Sequence, residues 1–107
     1  MKADRMTCYI LKDKTPVLEP DDQEWARWFV RADRIVAKTM LPGKIEVSTM
    51  FLGMDHGFDS REPLLFETMI FGGPHDGYQH RHPRWKEAEI GHEYAVKIAK
   101  GMISRND

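Results

Sequence analysis

Three side chains have the chemistry and the placement for acid–base work: His56, Glu67 and His92. His92 falls on the apolar stripe of a predicted helix, so the spacing that buries the stripe buries the imidazole too. Alternation along two predicted strands places His56 and Glu67 where they could share a sheet face. A carboxylate buried beside a histidine is typical of acid–base catalysts. It is equally typical of a structural pair in which two buried polar groups satisfy each other.

Asp55 and His56 end a predicted strand and open a polar loop. Their donor types suit a divalent metal or a phosphate ester, and with Glu67 and His92 they would make a metal-assisted hydrolase. The spacing matches no specific metal signature, including that of a calcium loop, so an ordinary polar loop is the competing interpretation. We therefore predict no metal and no other cofactor.

A glycine-rich loop predicted at residues 72–82 contains three of the five histidines. Without cysteine ligands, and on a surface loop that does little to orient the rings, these histidines do not predict a structural zinc site. Tyr78 and Arg81 are better candidates for contact with a ligand or partner. Together with Arg27 and His92 they would offer aromatic and guanidinium groups to the base and phosphates of a nucleotide.

The sequence contains no phosphate loop, dinucleotide fingerprint, nucleophile elbow or HExxH motif, which disfavours an enzyme without excluding one. Sixteen Lys and Arg against 17 Asp and Glu give a net charge of −1, so general coating of nucleic acid is not expected.

Cys8 is the only cysteine, which suits a reducing compartment. No stretch approaches the roughly 18 apolar residues of a membrane span. We expect a cytoplasmic protein that is not membrane-bound.

The elements that position these residues predict a single α+β domain, since 107 residues are too few for two stable cores. The predicted order is β-α-β-β-β-α, an antiparallel meander sheet packed by two helices. Strands are predicted at 7–11, 34–40, 45–54 and 64–71, and helices at 22–32 and 84–102. Residues 12–20 are predicted to be a connector, because Pro16 and neighbouring charges halt strand pairing.

Asp21 and Glu24 have the spacing of a capping box at the start of the first helix. The apolar stripe behind them includes Trp25 and Trp28, which we expect to pack in the core. Gly91 inside the last helix costs about 1 kcal/mol relative to alanine. We therefore expect the helix backbone to approach the sheet closely at this residue.

The strands at 45–54 and 64–71 carry apolar side chains on both faces. Such a sheet needs helices on both sides, or a partner subunit on one of them. With only two helices available, the pattern predicts a homo-oligomer, most simply a homodimer.

Five short segments between Trp25 and His92 form a distinctive set that covers most of the domain. They are Trp25-Ala26-Arg27-Trp28-Phe29, Val36-Ala37-Lys38-Thr39, Val47-Ser48-Thr49-Met50-Phe51-Leu52-Gly53-Met54-Asp55-His56, Leu65-Phe66-Glu67-Thr68-Met69 and Glu89-Ile90-Gly91-His92. In these segments the chain resembles a family of small proteins encoded by bacteriophages and prophages. The resemblance implies a phage setting and carries over no catalytic role.

A phage setting suggests an accessory protein that works stoichiometrically. Our leading hypothesis from the sequence is a non-enzymatic domain that binds and inhibits a host protein, such as a defence factor. The alternatives are a binder or sponge of a nucleotide-like signalling ligand, and the metal-assisted hydrolase. The residues predicted to contact a ligand or partner are Arg27, Asp55, His56, Glu67, Tyr78, Arg81 and His92.

Overall fold

A computed structural model describes residues 7–55 and 62–104, which form six strands and two helices. In chain order they are β1 Tyr9–Lys12, β2 Thr15–Leu18, α1 Asp22–Arg31, β3 Ile35–Leu41, β4 Ile45–Phe51, β5 Phe66–Phe71, β6 Gln79–His82 and α2 Trp85–Ala99. β1 and β2 form a two-stranded sheet, and the other strands form an antiparallel sheet in the order β3-β4-β5-β6. The predicted α+β class and the antiparallel meander are confirmed.

The predicted connector at 12–20 is wrong, because this stretch forms the β1-β2 hairpin. Asp13 and Lys14 have φ of 56° and 70°, and left-handed backbone at both central positions is typical of the tight type I′ hairpin turn. Pro16 lies in β2 opposite Leu11. A proline is tolerated there because each strand of a two-stranded sheet has a free edge, where a missing N–H costs no ladder bond.

The predicted loop at 72–82 is wrong at its end, where β6 pairs with β5 and extends the meander. Its sequence, Gln79-His80-Arg81-His82, has no apolar alternation, which is why the pattern did not predict a strand. The predicted strand at 45–54 is too long, because Gly53, with φ of 80°, turns the chain after Phe51.

Helix α1 begins as predicted, with Asp21 Oδ1 accepting from the backbone N–H groups of Gln23 and Glu24 at 2.9 and 3.2 Å. The reciprocal half of the capping box is not formed, since Asp21 N–H donates to Glu19 Oε2 at 3.1 Å. Trp25 anchors α1 to the small sheet by donating its indole N–H to Tyr9 O. No described side chain of α1 is fully buried, so the tryptophans pack at the edge of the core.

Helix α2 covers one face of the four-stranded sheet, contacting all of its strands. Its buried residues are Ala88, His92, Ala95 and Ile98. The helix predicted at 84–102 is too long, because α2 ends at Ala99 and Met102 beyond it is 64% exposed. Gly91 makes the expected close approach: a Cβ there would lie 2.1 Å from His82 Cε1.

The sheet faces differ because α2 covers one and α1 does not cover the other. The covered face is fully buried at Val47, Thr49, Phe51, Phe66, Thr68 and Ile70. Strand register places the following residues on the opposite side, which we call the open face: Ile35, Lys38, Met40, Glu46, Ser48, Met50, Glu67, Met69, Phe71, Gln79 and Arg81. Neither helix, within the described ranges, is long and apolar enough to cross a lipid bilayer.

Candidate functional site

A row of hydrogen-bonded polar side chains crosses the interface between α2 and the covered face. His92 Nε2 lies 2.9 Å from Thr39 Oγ1, and His92 Nδ1 lies 2.8 Å from Thr49 Oγ1. Thr49 Oγ1 lies 2.7 Å from Thr68 Oγ1, which lies 3.0 Å from His82 Nε2. We call these five residues the histidine–threonine chain.

This chain separates two apolar clusters beneath α2. One cluster contains Val47, Ile70, Tyr78, Ala95 and Ile98, and the other contains Phe51, Leu65, Phe66 and Ala88. Four residues of the histidine–threonine chain, Thr49, Thr68, His82 and His92, are buried, and their polar atoms are hydrogen-bonded, as a folded core requires.

The donor count allows two proton arrangements when both imidazoles are neutral, because each hydroxyl donates one hydrogen. If Thr49 donates to His92, then Thr68 donates to Thr49 and His82 donates to Thr68. If Thr49 instead donates to Thr68, every donor in the chain reverses. The tautomer of His92 is thereby coupled to the tautomer of His82.

Burial keeps both imidazoles neutral near neutral pH. It lowers the pKa of His82 to about 4; the neighbouring His80 acts in the same direction, and Glu87 opposes both. Burial also lowers the pKa of His92, with Glu93 opposing. A neutral imidazole can both donate and accept a hydrogen bond, so neither ring acts as a fixed positive charge.

A cavity of about 380 Å³ lies at the His82 end of the chain, between β6 and α2. Its lining residues are Tyr78, His80, His82, Glu87, Ile90, Gly91 and Tyr94. The rings of His80 and His82 lie 5.0 Å apart, centroid to centroid. The lining of the cavity therefore contains two imidazoles, two phenols and one carboxylate next to an apolar surface.

Glu67 and His92, which the sequence left open as a possible pair, do not meet, because the two residues lie on opposite sides of the sheet. Alternation in β5 directs Glu67 to the open face, where it accepts hydrogen bonds from Gln79 and, at 3.1 Å, from Arg81 Nε. His92 reaches the sheet from α2, on the covered face. The metal-assisted hydrolase hypothesis required Glu67 and His92 in the same site, and this placement rules that arrangement out within one chain.

Within one chain, the four residues predicted to line a nucleotide pocket do not come together. Arg27 pairs with Glu24 on the surface of α1, and Arg81 lies on the open face. His92 is buried at 2% exposure. Of the four, Tyr78 alone lines the cavity.

Asp55 caps the loop that precedes β5 by accepting from Leu64 N–H at 3.2 Å, and its charge adds to burial in raising the pKa of Tyr9. The prediction for His56 lies outside the described residues. Among residues 7–55 and 62–104, no three His, Cys, Asp or Glu side chains are grouped to hold a metal ion.

Sequence reasoning missed most of the cavity, although one signal was present. Glu87, Ile90, Gly91 and Tyr94 follow the i, i+3, i+4, i+7 spacing of a helix face, and they run beside the stripe that contains His92. The missed threonines gave no such signal. Threonine is common in strands as a packing residue, so the sequence does not show that Thr49 and Thr68 form part of a hydrogen-bonded site.

The open face combines apolar side chains with paired charges. Ile35, Met40 and Phe71 are 47%, 62% and 45% exposed. Lys38 Nζ lies 3.7 Å from Glu46 Oε2, and Arg81 pairs with Glu67 as described above. Because these charges are neutralised within the face, its apolar part can be covered without leaving them unpaired.

Replacing Thr49 with valine tests the histidine–threonine chain. We expect the free energy of unfolding to fall by about 1–3 kcal/mol, because His92 Nδ1 and Thr68 Oγ1 each lose a buried partner while the side-chain shape is kept. Chemical denaturation measures the change. The control is Ser48→Ala, the adjacent residue on the open face. Equal unfolding midpoints for the two variants would show that the chain adds no stability.

Comparison of the chain with protein-family models, curated proteins and solved structures finds no match. Its function is therefore inferred from the geometry and chemistry of its own surfaces.

Proposed function

We propose that the protein acts by stoichiometric binding of another protein, and that the open face of the four-stranded sheet is its binding surface. The single observation that supports this proposal is that Ile35, Met40 and Phe71 are exposed together on a face that neither helix covers. Apolar side chains left exposed on one uncovered face of a folded domain are candidates for a protein–protein contact site.

The composition of the open face favours a protein partner. Its aromatic and methionine side chains are types enriched at interfaces. Met40, Met50 and Met69 are flexible enough to adapt to a partner's shape. Lys38–Glu46 and Arg81–Glu67 are already paired across neighbouring strands, so docking would leave neither pair's charges buried without a partner.

The partner we propose is a host protein in the bacterial cytoplasm, with the present protein serving as a phage accessory factor that inhibits it. The resemblance of five sequence segments to phage-encoded proteins, described under the sequence analysis, is what supports the setting. The absence of familiar catalytic motifs from the sequence favours blockade of the partner over chemical modification.

Paired variants test the binding surface. A tagged protein incubated in bacterial lysate is expected to retain one partner in equimolar amount, and Met40→Ser with Phe71→Ser is expected to weaken retention about tenfold or more. Val30→Ser is the matched control, since Val30 is 79% exposed on α1, away from the open face. Thermal unfolding confirms that each variant is folded.

Two outcomes would overturn the proposal. One is that the wild-type protein retains no equimolar partner. The other is that Val30→Ser weakens retention as much as the open-face variant, because apolar exposure anywhere on the surface would then account for capture.

A second candidate is a homodimer formed by two open faces. The observation that favours it is charge balance, since each face carries two cations and two anions already paired within it and two copies would not repel. Sedimentation of the purified protein is expected to give a dimer that Met40→Ser with Phe71→Ser converts to a monomer. A wild-type monomer at high concentration would exclude this arrangement.

A further inference from the structure

The cavity between β6 and α2 lies on the opposite side of the sheet from the open face, so a partner on the open face would not fill it. Its volume of about 380 Å³ falls in the range of about 300–1,000 Å³ that small-molecule sites occupy. Whatever occupies it would bind independently of the proposed protein partner.

The charge of the lining restricts the ligand class. No lysine or arginine is among the described residues that line the cavity. Glu87, its one carboxylate, is engaged by Arg84, whose Nη2 donates to Oε2 at 2.9 Å. A phosphate in the cavity would therefore meet no lysine or arginine among the described lining residues, and Arg84 beside it is already paired with Glu87 and Glu62. An uncharged ligand needs no such cation.

The remaining groups suit a planar ring with polar edges. Tyr78, Tyr94 and Ile90 provide aromatic and aliphatic surface on which a flat ring can lie. His82 is 5% exposed, and its Nε2 is hydrogen-bonded to Thr68, which leaves Nδ1 as the nitrogen that a ligand can use. Depending on its tautomer, Nδ1 can donate to or accept from the edge of a heteroaromatic ring.

The backbone at Gly91 makes this arrangement possible. The three atoms that a Cβ there would meet first all belong to the imidazole of His82. The absence of a side chain lets α2 lie directly against the ring and fix it in the cavity wall.

We propose that this cavity binds an uncharged, planar heteroaromatic ligand of nucleoside size, held by Tyr78, His82 and Tyr94. The site takes the base and excludes a phosphate, which separates it from the nucleotide pocket predicted from the sequence.

Calorimetry with adenosine, guanosine, cytidine and uridine, each compared with its 5′-monophosphate, tests the ligand class. We expect at least one nucleoside to bind in equimolar amount, and its monophosphate to bind about tenfold more weakly or worse. The proposal is overturned if no nucleoside binds, or if a monophosphate binds as tightly as its nucleoside.

Surface variants test the location of binding. Tyr94 is 39% exposed, so Tyr94→Ala is expected to leave the fold intact and to weaken nucleoside binding about tenfold. Lys97→Ala, an exposed change on the same helix, is the control and should bind as the wild type does. Equal affinities for the Tyr94 and Lys97 variants would place the ligand elsewhere and overturn the assignment.

The open-face variant, Met40→Ser with Phe71→Ser, separates this inference from the proposed function. It is expected to keep nucleoside affinity while losing the protein partner. Loss of nucleoside affinity in that variant, with its fold intact, would contradict the claim that the open face and the cavity bind independently.

Discussion

Gly91→Ala is expected to destabilise the protein by about 2 kcal/mol, although the same change in an ordinary helix stabilises by about 1 kcal/mol. The added Cβ would lie 2.1 Å from His82 Cε1 and 2.6 Å from His82 Nε2. The imidazole must move, and the hydrogen bond between its Nε2 and Thr68 Oγ1 is then lost. Denaturant unfolding measures the loss.

The His82→Ala background supplies the control for this prediction. With the ring removed, the Cβ at residue 91 has space, and Gly91→Ala is expected to stabilise by about 0.5–1 kcal/mol. The coupling between the two changes is then about 3 kcal/mol. If Gly91→Ala had the same effect in both backgrounds, the contact between α2 and His82 could not be the reason for glycine at this position.

Acidification is expected to lower the free energy of unfolding between pH 6.5 and about pH 4, the ordinary and the folded-state pKa of His82. In that interval the unfolded chain binds a proton that the folded protein excludes, so stability falls as pH falls. The slope contributed by one histidine is about 1.4 kcal/mol per pH unit, and the total is about 3 kcal/mol. The lowered pKa of His92 acts in the same direction.

His82→Gln isolates this contribution from the carboxylates that titrate in the same range. Unfolding curves recorded across the interval should show a shallower pH dependence for the variant, by about one proton. His80 and Glu87 remain in place and act on both proteins alike. Parallel curves for the wild type and the variant would mean that His82 is not held neutral by burial.

Local patterns were enough to predict the central part of the fold. Asp21 caps α1, β3 to β5 follow one another in the sheet, and Gly91 marks a close approach, all as expected from short-range chemistry. β6 was not predictable in this way. Its pairing with β5 depends on tertiary position, and its residues are histidine, arginine and glutamine, which rarely alternate in a recognisable strand pattern.

The candidate site was harder to predict than the fold, because it depends on which face each element covers. Side-chain alternation along β5 correctly places Glu67 on the opposite sheet face from its strand neighbours Phe66 and Thr68. It could not say that α2 would cover the face bearing Thr68. His92 was correctly expected to be buried with a polar partner, but the partners are Thr39 and Thr49, which carry no charge.

The fold places two surfaces of different chemistry on opposite sides of one four-stranded sheet. The open face is broad, with methionine and phenylalanine between paired charges. The cavity on the α2 side is small and lined mainly by imidazoles and phenols. The covered rows between them, centred on Thr49 and Thr68, are fully buried, so exposed residues of either surface, such as Met40 and Tyr94, can be changed without touching these rows.

Methionine-methyl NMR of the labelled protein, compared in buffer and in bacterial lysate, tests binding through the open face most directly. We expect the signals of Met40, Met50 and Met69 to shift or broaden, while that of Met102, exposed beyond α2, stays unchanged. Unchanged signals from the three open-face methionines, or uniform broadening that includes Met102, would contradict protein binding by this surface.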